Sequence, residues 1–388
     1  MITIFETDRL SDSSELLSWS RRWMAPLGVW PKDYNNLRFV LTVIYILIFQ
    51  VTQYADLIYG AKNGEEILLN LCESSHFTLL LLKFAVFRNN RILAQMIDMM
   101  NEDCADEVGT TEEQNKSAVY YSVAKTFNKI ACFLYLSTTI LCCLRPPTEY
   151  LLTSKINRIS ENNYFIRSHI FYEMTDIYTY APAYSYQVGA VFIINLASVP
   201  MDGLLIALTV HVSKQLSLLA VSITDITKDK KNAHDLKIRV IVKQHLRLIW
   251  MAKQINKEFG SSFLCQILYA GLLICLSGYQ IVKNFKITHS TNLLVFFGTE
   301  ATMLTILYGY CFVGEILIEE SQRVHDAYYQ CNWYELPSSQ SKDFIICMAG
   351  SEKPLYFGAG QLFIFSLSLF AEVVRTAVGY VSVLSTLV

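Results

Sequence analysis

The chain is 388 residues long, 53% hydrophobic and only 17% charged, with a formal net charge of −2. So little charge, with the apolar residues bunched into long runs, excludes an ordinary soluble domain and points to a bilayer as the solvent. The near-zero net charge says nothing about partners, and no nucleic-acid partner is expected.

In chain order, residues 1–38 are mixed polar and aromatic, with Arg21, Arg22 and Trp23 at their centre, and do not form a signal peptide. Seven apolar stretches approach the ~20 residues needed to cross a bilayer. They are Phe39–Ile58, Ile67–Phe87, Phe127–Leu144, Tyr186–Val212, Phe263–Val282, Leu293–Ile316 and Phe357–Leu387. Glu73, His76 and Lys83 interrupt the second, and Lys83 is expected to snorkel to the inner surface. Pro146-Pro147 is expected to stop the third span, and Pro182 to sit just before the fourth. Between them, residues 148–185 are rich in Tyr and Phe and predict a folded lid at the outer face. Asp202, low in the fourth span, is read as fixing a helix contact.

Leu216, Leu219, Ile223 and Ile226, then Leu236, Val240, Leu246, Ile249 and Ile255, recur at helical spacing across 213–258. A polar run at Lys228–Asn232 breaks them, which predicts a helical hairpin below the membrane. Residues 317–356 complete the inner anchor. The last stretch reads as one overlong helix, roughly 45 Å, ending at the chain terminus. Within it Glu372 and Arg375, three residues apart, predict a local ion pair.

With an inner N-terminus, inner segments hold 22 Lys and Arg and outer segments 7. The positive-inside rule then places the N-terminus in the cytoplasm and the C-terminus outside. That topology is the reverse of a G-protein-coupled receptor. No half of the chain repeats the other, as a transporter's often does. The ten cysteines are scattered, with none in 148–185, and no nucleophile elbow, phosphate loop or zinc spacing occurs. No enzyme activity, cofactor or metal is expected.

Three blocks carry a resemblance to the insect odorant receptors. The first is Asp176…Pro182-Ala183-Tyr184…Tyr186-Gln187, followed by Asp202-Gly203-Leu204…His211-Val212…Gln215-Leu216. The second is His245…Ile255-Asn256…Phe259. The third is Ala327-Tyr328-Tyr329-Gln330-Cys331-Asn332-Trp333-Tyr334-Glu335-Leu336-Pro337, then Lys353-Pro354-Leu355 and the run ending at Arg375-Thr376…Tyr380. The chain departs from the family at Ala377-Val378-Gly379. The Thr-Tyr…Gln-Phe ending of gustatory-type channels, the alternative reading, is missing.

The resemblance implies an all-α integral membrane protein with seven transmembrane helices, located in the plasma membrane of a sensory dendrite. It implies a ligand-specific subunit that pairs with an olfactory co-receptor in a heterotetramer. An odorant small molecule would open a non-selective cation pore lined by the last helix. The ligand pocket is expected in the outer halves of spans two, three, four and six. Its candidates are His76, Phe77 and Leu80; Tyr135, Leu136 and Thr139; Val191, Phe192 and Asn195; and Thr299, Met303 and Ile306. These are mostly apolar with a few polar handles, the usual lining of a small-molecule cavity. Val383 and Leu387 lie four apart and share one helical face, with Thr376, Tyr380 and Thr386 on or beside it. Rings of Val383 and Leu387 about a tetramer axis would close an apolar gate by dewetting, and the resemblance implies a gate at Val383.

Overall fold

A computed structural model describes residues 15–33, 35–60, 63–88, 90–105, 111–153, 168–169, 177–226, 234–285, 291–335, 337–360 and 362–387. The protein is an all-α membrane protein. A short helix α1 (residues 15–24) precedes α2 (Asn36–Ala55), which runs into one wider turn at Asp56–Gly60. Then come α3 (Gly64–Arg88), α4 (Arg91–Ala105), α5 (Thr111–Thr153), α6 (Ile177–Asp225), α7 (His234–Phe285) and α8 (Thr291–Gln330). A 3-10 turn (Trp333–Glu335) leads to α9 (Ser338–Ser351), a two-residue hairpin of β1 (Gly358–Ala359) and β2 (Phe363–Ile364), and α10 (Leu367–Leu387).

Among the described residues, five helical stretches are long and apolar enough to cross a bilayer: Asn36–Gly60, Lys116–Leu144, Tyr178–Asp225, Leu236–Val282 and Leu294–Gln330. Helices suit that solvent because each satisfies its own backbone hydrogen bonds. Asn35 caps α2 by accepting from the Arg38 backbone N–H at 3.2 Å. Beyond the cap, α2 buries Ile46, Phe49, Gln50 and Gln53 and leaves Leu41, Ile44, Ile48 and Val51 exposed, the pattern of a helix between protein and lipid.

At the centre stands α6, against α8, α5 and α7. Every residue from Met201 to Leu216 is buried. With 49 residues, α6 is about 74 Å long, more than twice the ~30 Å hydrocarbon core. It therefore carries the bundle well past the membrane, and α7 returns beside it from His234. The polar run at Lys228–Asn232 lies outside the described residues.

The prolines behave differently from expectation. α5 continues through Pro146 and Pro147 to Thr153, and α6 holds both Pro182 and Pro200 inside it. Each proline forfeits a backbone hydrogen bond, but the flanking helix is long enough to continue across the loss. Of the expected lid, residues 148–153 and 177–185 are instead the ends of α5 and α6, and between them Ser168 and His169 are described. The His169 N–H donates to Thr52 O at 2.8 Å, and Gln187 Nε2 to Ser168 Oγ at 2.6 Å, tying this point to α2 and α6.

The last span is the largest correction. Residues 357–360 and 362–366 are not helical. They form the β1–β2 hairpin, turned at Gly360 with φ +62°. α10 is only 21 residues, about 31 Å, and matches the hydrocarbon thickness instead of overshooting it. Glu372 and Arg375 are both exposed on α10 and form no ion pair among the described residues.

Below the bundle, the lower part of α8 packs on α9. The Tyr328 ring lies 5.8 Å from that of Phe344, and the Ser321 hydroxyl accepts from Leu355 N at 2.9 Å. Burial raises the Cys347 thiol and pushes that of Cys331 up to about 11, so both stay protonated packing groups.

Candidate functional site

A cavity opens where α3, α5, α6 and α7 meet. α3 contributes His76, Leu79, Leu80 and Lys83, which recur at the three- and four-residue spacing of one helical face. Tyr135 comes from α5, Ser198 from α6, and Gln266 and Tyr269 from α7. The space is about 10 Å³, room for roughly one water molecule.

Its walls are more polar than a pocket for volatile molecules was expected to be. His76 Nδ1 and the Tyr269 hydroxyl are 2.9 Å apart, with the rings edge to face at 5.4 Å. The Lys83 ammonium does not snorkel. Its Nζ donates to Asp202 Oδ1 at 2.5 Å, and both side chains are almost fully buried. The same carboxylate oxygen accepts from the Tyr310 hydroxyl at 2.6 Å. One carboxylate thus joins α3, α6 and α8, as expected of a residue fixing a helix contact. A cation buried in lipid-facing structure needs such a partner, since an unpaired one costs several kcal/mol.

Three of the twelve expected ligand residues, His76, Leu80 and Tyr135, line this cavity. Phe77 turns toward α2 and packs on Phe49, ring centroids 4.7 Å apart. Asn195 donates to the Thr139 hydroxyl, which donates in turn to Tyr135 O at 2.7 Å, so this pair ties α6 to α5. Thr299 donates to Val295 O at 2.9 Å within its own helix. Met303 and Ile306 are buried and Val191 half-buried, none of them lining the cavity. Leu136 and Phe192 are 40% and 39% exposed and do not line this cavity. Leu79, Lys83, Ser198, Gln266 and Tyr269 were missed. Polar residues at helical spacing inside apolar runs were the available signal.

One turn away on α7 is a dry aromatic cluster. The Phe263 ring lies 4.6 Å from Phe357 and 5.7 Å from Phe365, and Phe357 and Phe365 stack at 4.9 Å. Tyr310 touches Phe263, Phe357 and Phe365 at 5.5–5.8 Å. The hairpin is clamped from α7, where Asn256 donates to Tyr356 O at 2.6 Å and accepts from Gly358 N at 2.8 Å. From α8, Glu315 accepts from the first N–H of α10, Leu367, at 2.9 Å.

On α10, Ala377 is buried, and Val381 lies against Gly278 of α7, where an added Cβ would meet its methyl at 2.9 Å. Thr376, Tyr380 and Val383 are exposed, the last two by 61% and 54%. The side chains of Thr386 and Leu387 lie outside the described residues.

A family model described as 7tm Odorant receptor matches residues 63–378. The odorant receptor coreceptor of Drosophila melanogaster is 30% identical over 151 residues, which cover 38% of this chain and 30% of that protein's length. Putative odorant receptor 92a of the same organism is 20% identical over 310 residues, 78% of this chain and 74% of that protein. Among solved structures, the insect olfactory receptor OR5 from Machilis hrabei, in complex with eugenol, is similar with a TM-score of 0.83. The sequence identity is 16%, and the likeness covers 97% of this chain and 100% of the other.

Proposed function

The chain belongs to the 7tm odorant receptor family, and from that premise we propose that it is the ligand-binding subunit of an odorant-gated cation channel in the plasma membrane. The seven spans are α2, α3, α5, α6, α7, α8 and α10, with the N-terminus inside and the C-terminus outside, as the Lys and Arg distribution favours. A small volatile molecule binds at the cavity between α3, α5, α6 and α7. An olfactory co-receptor completes a heterotetramer through the anchor. There Tyr329, Tyr334, Ile345 and Ile346 are exposed on parts of the chain that lie in the aqueous phase, the kind of apolar surface that marks an interface.

One observation carries the mechanism. Lys83 is at once a wall of the cavity and the partner of Asp202, and Asp202 also holds Tyr310. The Tyr310 ring in turn rests on Phe357 and Phe365, directly before α10. A ligand that enlarges the cavity must displace α3 or α7, and the buried ion pair passes that displacement to the base of α10. Thr376, Tyr380 and Val383 on the exposed side of α10 then separate around the tetramer axis, and the constriction wets.

Recording currents from cells expressing the chain with and without a co-receptor, against an odorant panel, tests this reading. Val383→Ser should give current without ligand, while Val381→Ser, packed on Gly278, should not. A silent Val383→Ser channel that still opens normally with odorant would show that another face lines the pore. An epitope at the C-terminus that is stained only after permeabilisation would reverse the topology and favour a G-protein-coupled receptor.

A further inference from the structure

Resting on the reading of this cavity as the ligand site, the geometry points to a hydroxyl-bearing ligand, a small neutral alcohol or phenol, held through its hydroxyl by Gln266. Gln266 is 5% exposed, lines the cavity, and its Oε1 has no hydrogen-bond partner. A buried amide oxygen without a donor costs about 1–3 kcal/mol, so whatever fills the space is selected for supplying one. Aldehydes, ketones, esters and hydrocarbons have no donor to give.

The other polar groups around the cavity narrow the class further. His76 and Tyr269 are within hydrogen-bonding distance of each other, 2.9 Å apart. The Lys83 charge is already neutralised by Asp202 at 2.5 Å, so among the described residues of the lining no free cation remains to attract a carboxylic acid. A neutral hydroxyl therefore matches the site better than an acid does. At about 10 Å³ the space holds a hydroxyl-sized head but not a hydrocarbon tail. The tail must enter by displacing the Leu79 and Leu80 side chains, the aliphatic walls among the described residues. Recognition is thus divided, with the amide reading the head and leucines of α3 yielding to the tail.

The experiment uses two sets of matched volume: 1-hexanol, hexanal and hexane, then benzyl alcohol, benzaldehyde and toluene. Each is applied to cells co-expressing the full chain and a co-receptor, with surface protein measured by biotinylation. The alcohol in at least one set should activate at the lowest concentration. Gln266→Leu, similar in volume, should weaken the alcohol on the order of tenfold, the worth of about one hydrogen bond. It should leave the hydrocarbon response equal or stronger, a reversal that poor folding cannot produce. If Gln266→Leu fails to reach the surface, Gln266→Asn, which withdraws the amide by one methylene, should show the same selective loss for the alcohol. Aldehyde or hydrocarbon acting as well as the matched alcohol on the unaltered chain would overturn the inference and leave the receptor reading intact. So would an alcohol response unchanged in Gln266→Leu, which would mean that water satisfies the amide. Silence to all six compounds would overturn the hydroxyl class. Silence to a broad odorant panel as well, at full surface expression, would sink the receptor reading itself.

Discussion

Gln266 and Phe263 are three residues apart on α7 and face two opposite kinds of interior. Around Gln266 there is a small void lined by five other polar side chains, and its own amide oxygen has no partner. Phe263 and three further aromatic rings touch pairwise, and the Tyr310 hydroxyl among them is taken up by Asp202. Close-packed interiors resist small displacements and move as units, whereas a void with unmet hydrogen bonding can be reorganised at low cost. The soft region can therefore change on binding while the hard region carries the change, as a rigid piece, to α10.

The largest expected effect comes from the link between the two regions. Lys83→Met leaves Asp202 buried without its cation, which should cost ~3–5 kcal/mol and remove most of the protein from the cell surface. The double variant Lys83→Met/Asp202→Leu should recover expression, because both charges are gone, yet respond poorly to ligand. Full surface expression of Lys83→Met alone would mean the pair is not buried as described.

A smaller effect is expected at the edge of the hard region. A Cβ on Gly314 would fall 2.3 Å from Phe365 O, so Gly314→Ala must push the hairpin off α8. Overpacking of this kind costs ~1–3 kcal/mol. Thermal unfolding of the purified chain should show a lowered midpoint, and an unchanged one would argue that the hairpin is loosely held.

Within the soft region, Tyr135→Ala should alter which ligands activate, since volume changes in such pockets are worth ~1–3 kcal/mol. Met303→Ala should act less selectively, because Met303 is buried but does not line the cavity. Dose–response curves for both variants at matched expression separate these outcomes. If Met303→Ala re-ranks ligands and Tyr135→Ala does not, the site lies nearer α8. The last expectation is a zero. Asn115-Lys116-Ser117 is the only Asn-x-Ser/Thr acceptor in the chain, near the start of α5 with Ser117 buried. An inner placement predicts no N-glycan, so a glycosidase-sensitive mass shift lost in Asn115→Gln would overturn the orientation.

By itself the sequence determined the solvent, the helical class and the family. Bilayer insertion is decided by local hydropathy, and runs such as Tyr186–Val212 carry that information without knowing their neighbours. It also indicated that Asp202 joins helices, because a buried carboxylate must have a partner. Only the tertiary structure decided which partner, and so revealed that Lys83 points inward and not to the membrane surface. It alone began the last helix at Leu367 in place of Phe357, because the apolar run Phe357–Phe365 serves a ring cluster as well as it would serve lipid. It placed His76, Tyr135, Gln266 and Tyr269 around one void, although they lie up to 193 residues apart. Helical periodicity reports which residues share a face, but the facing partner is set by how long helices cross, and that is a property of the packed bundle.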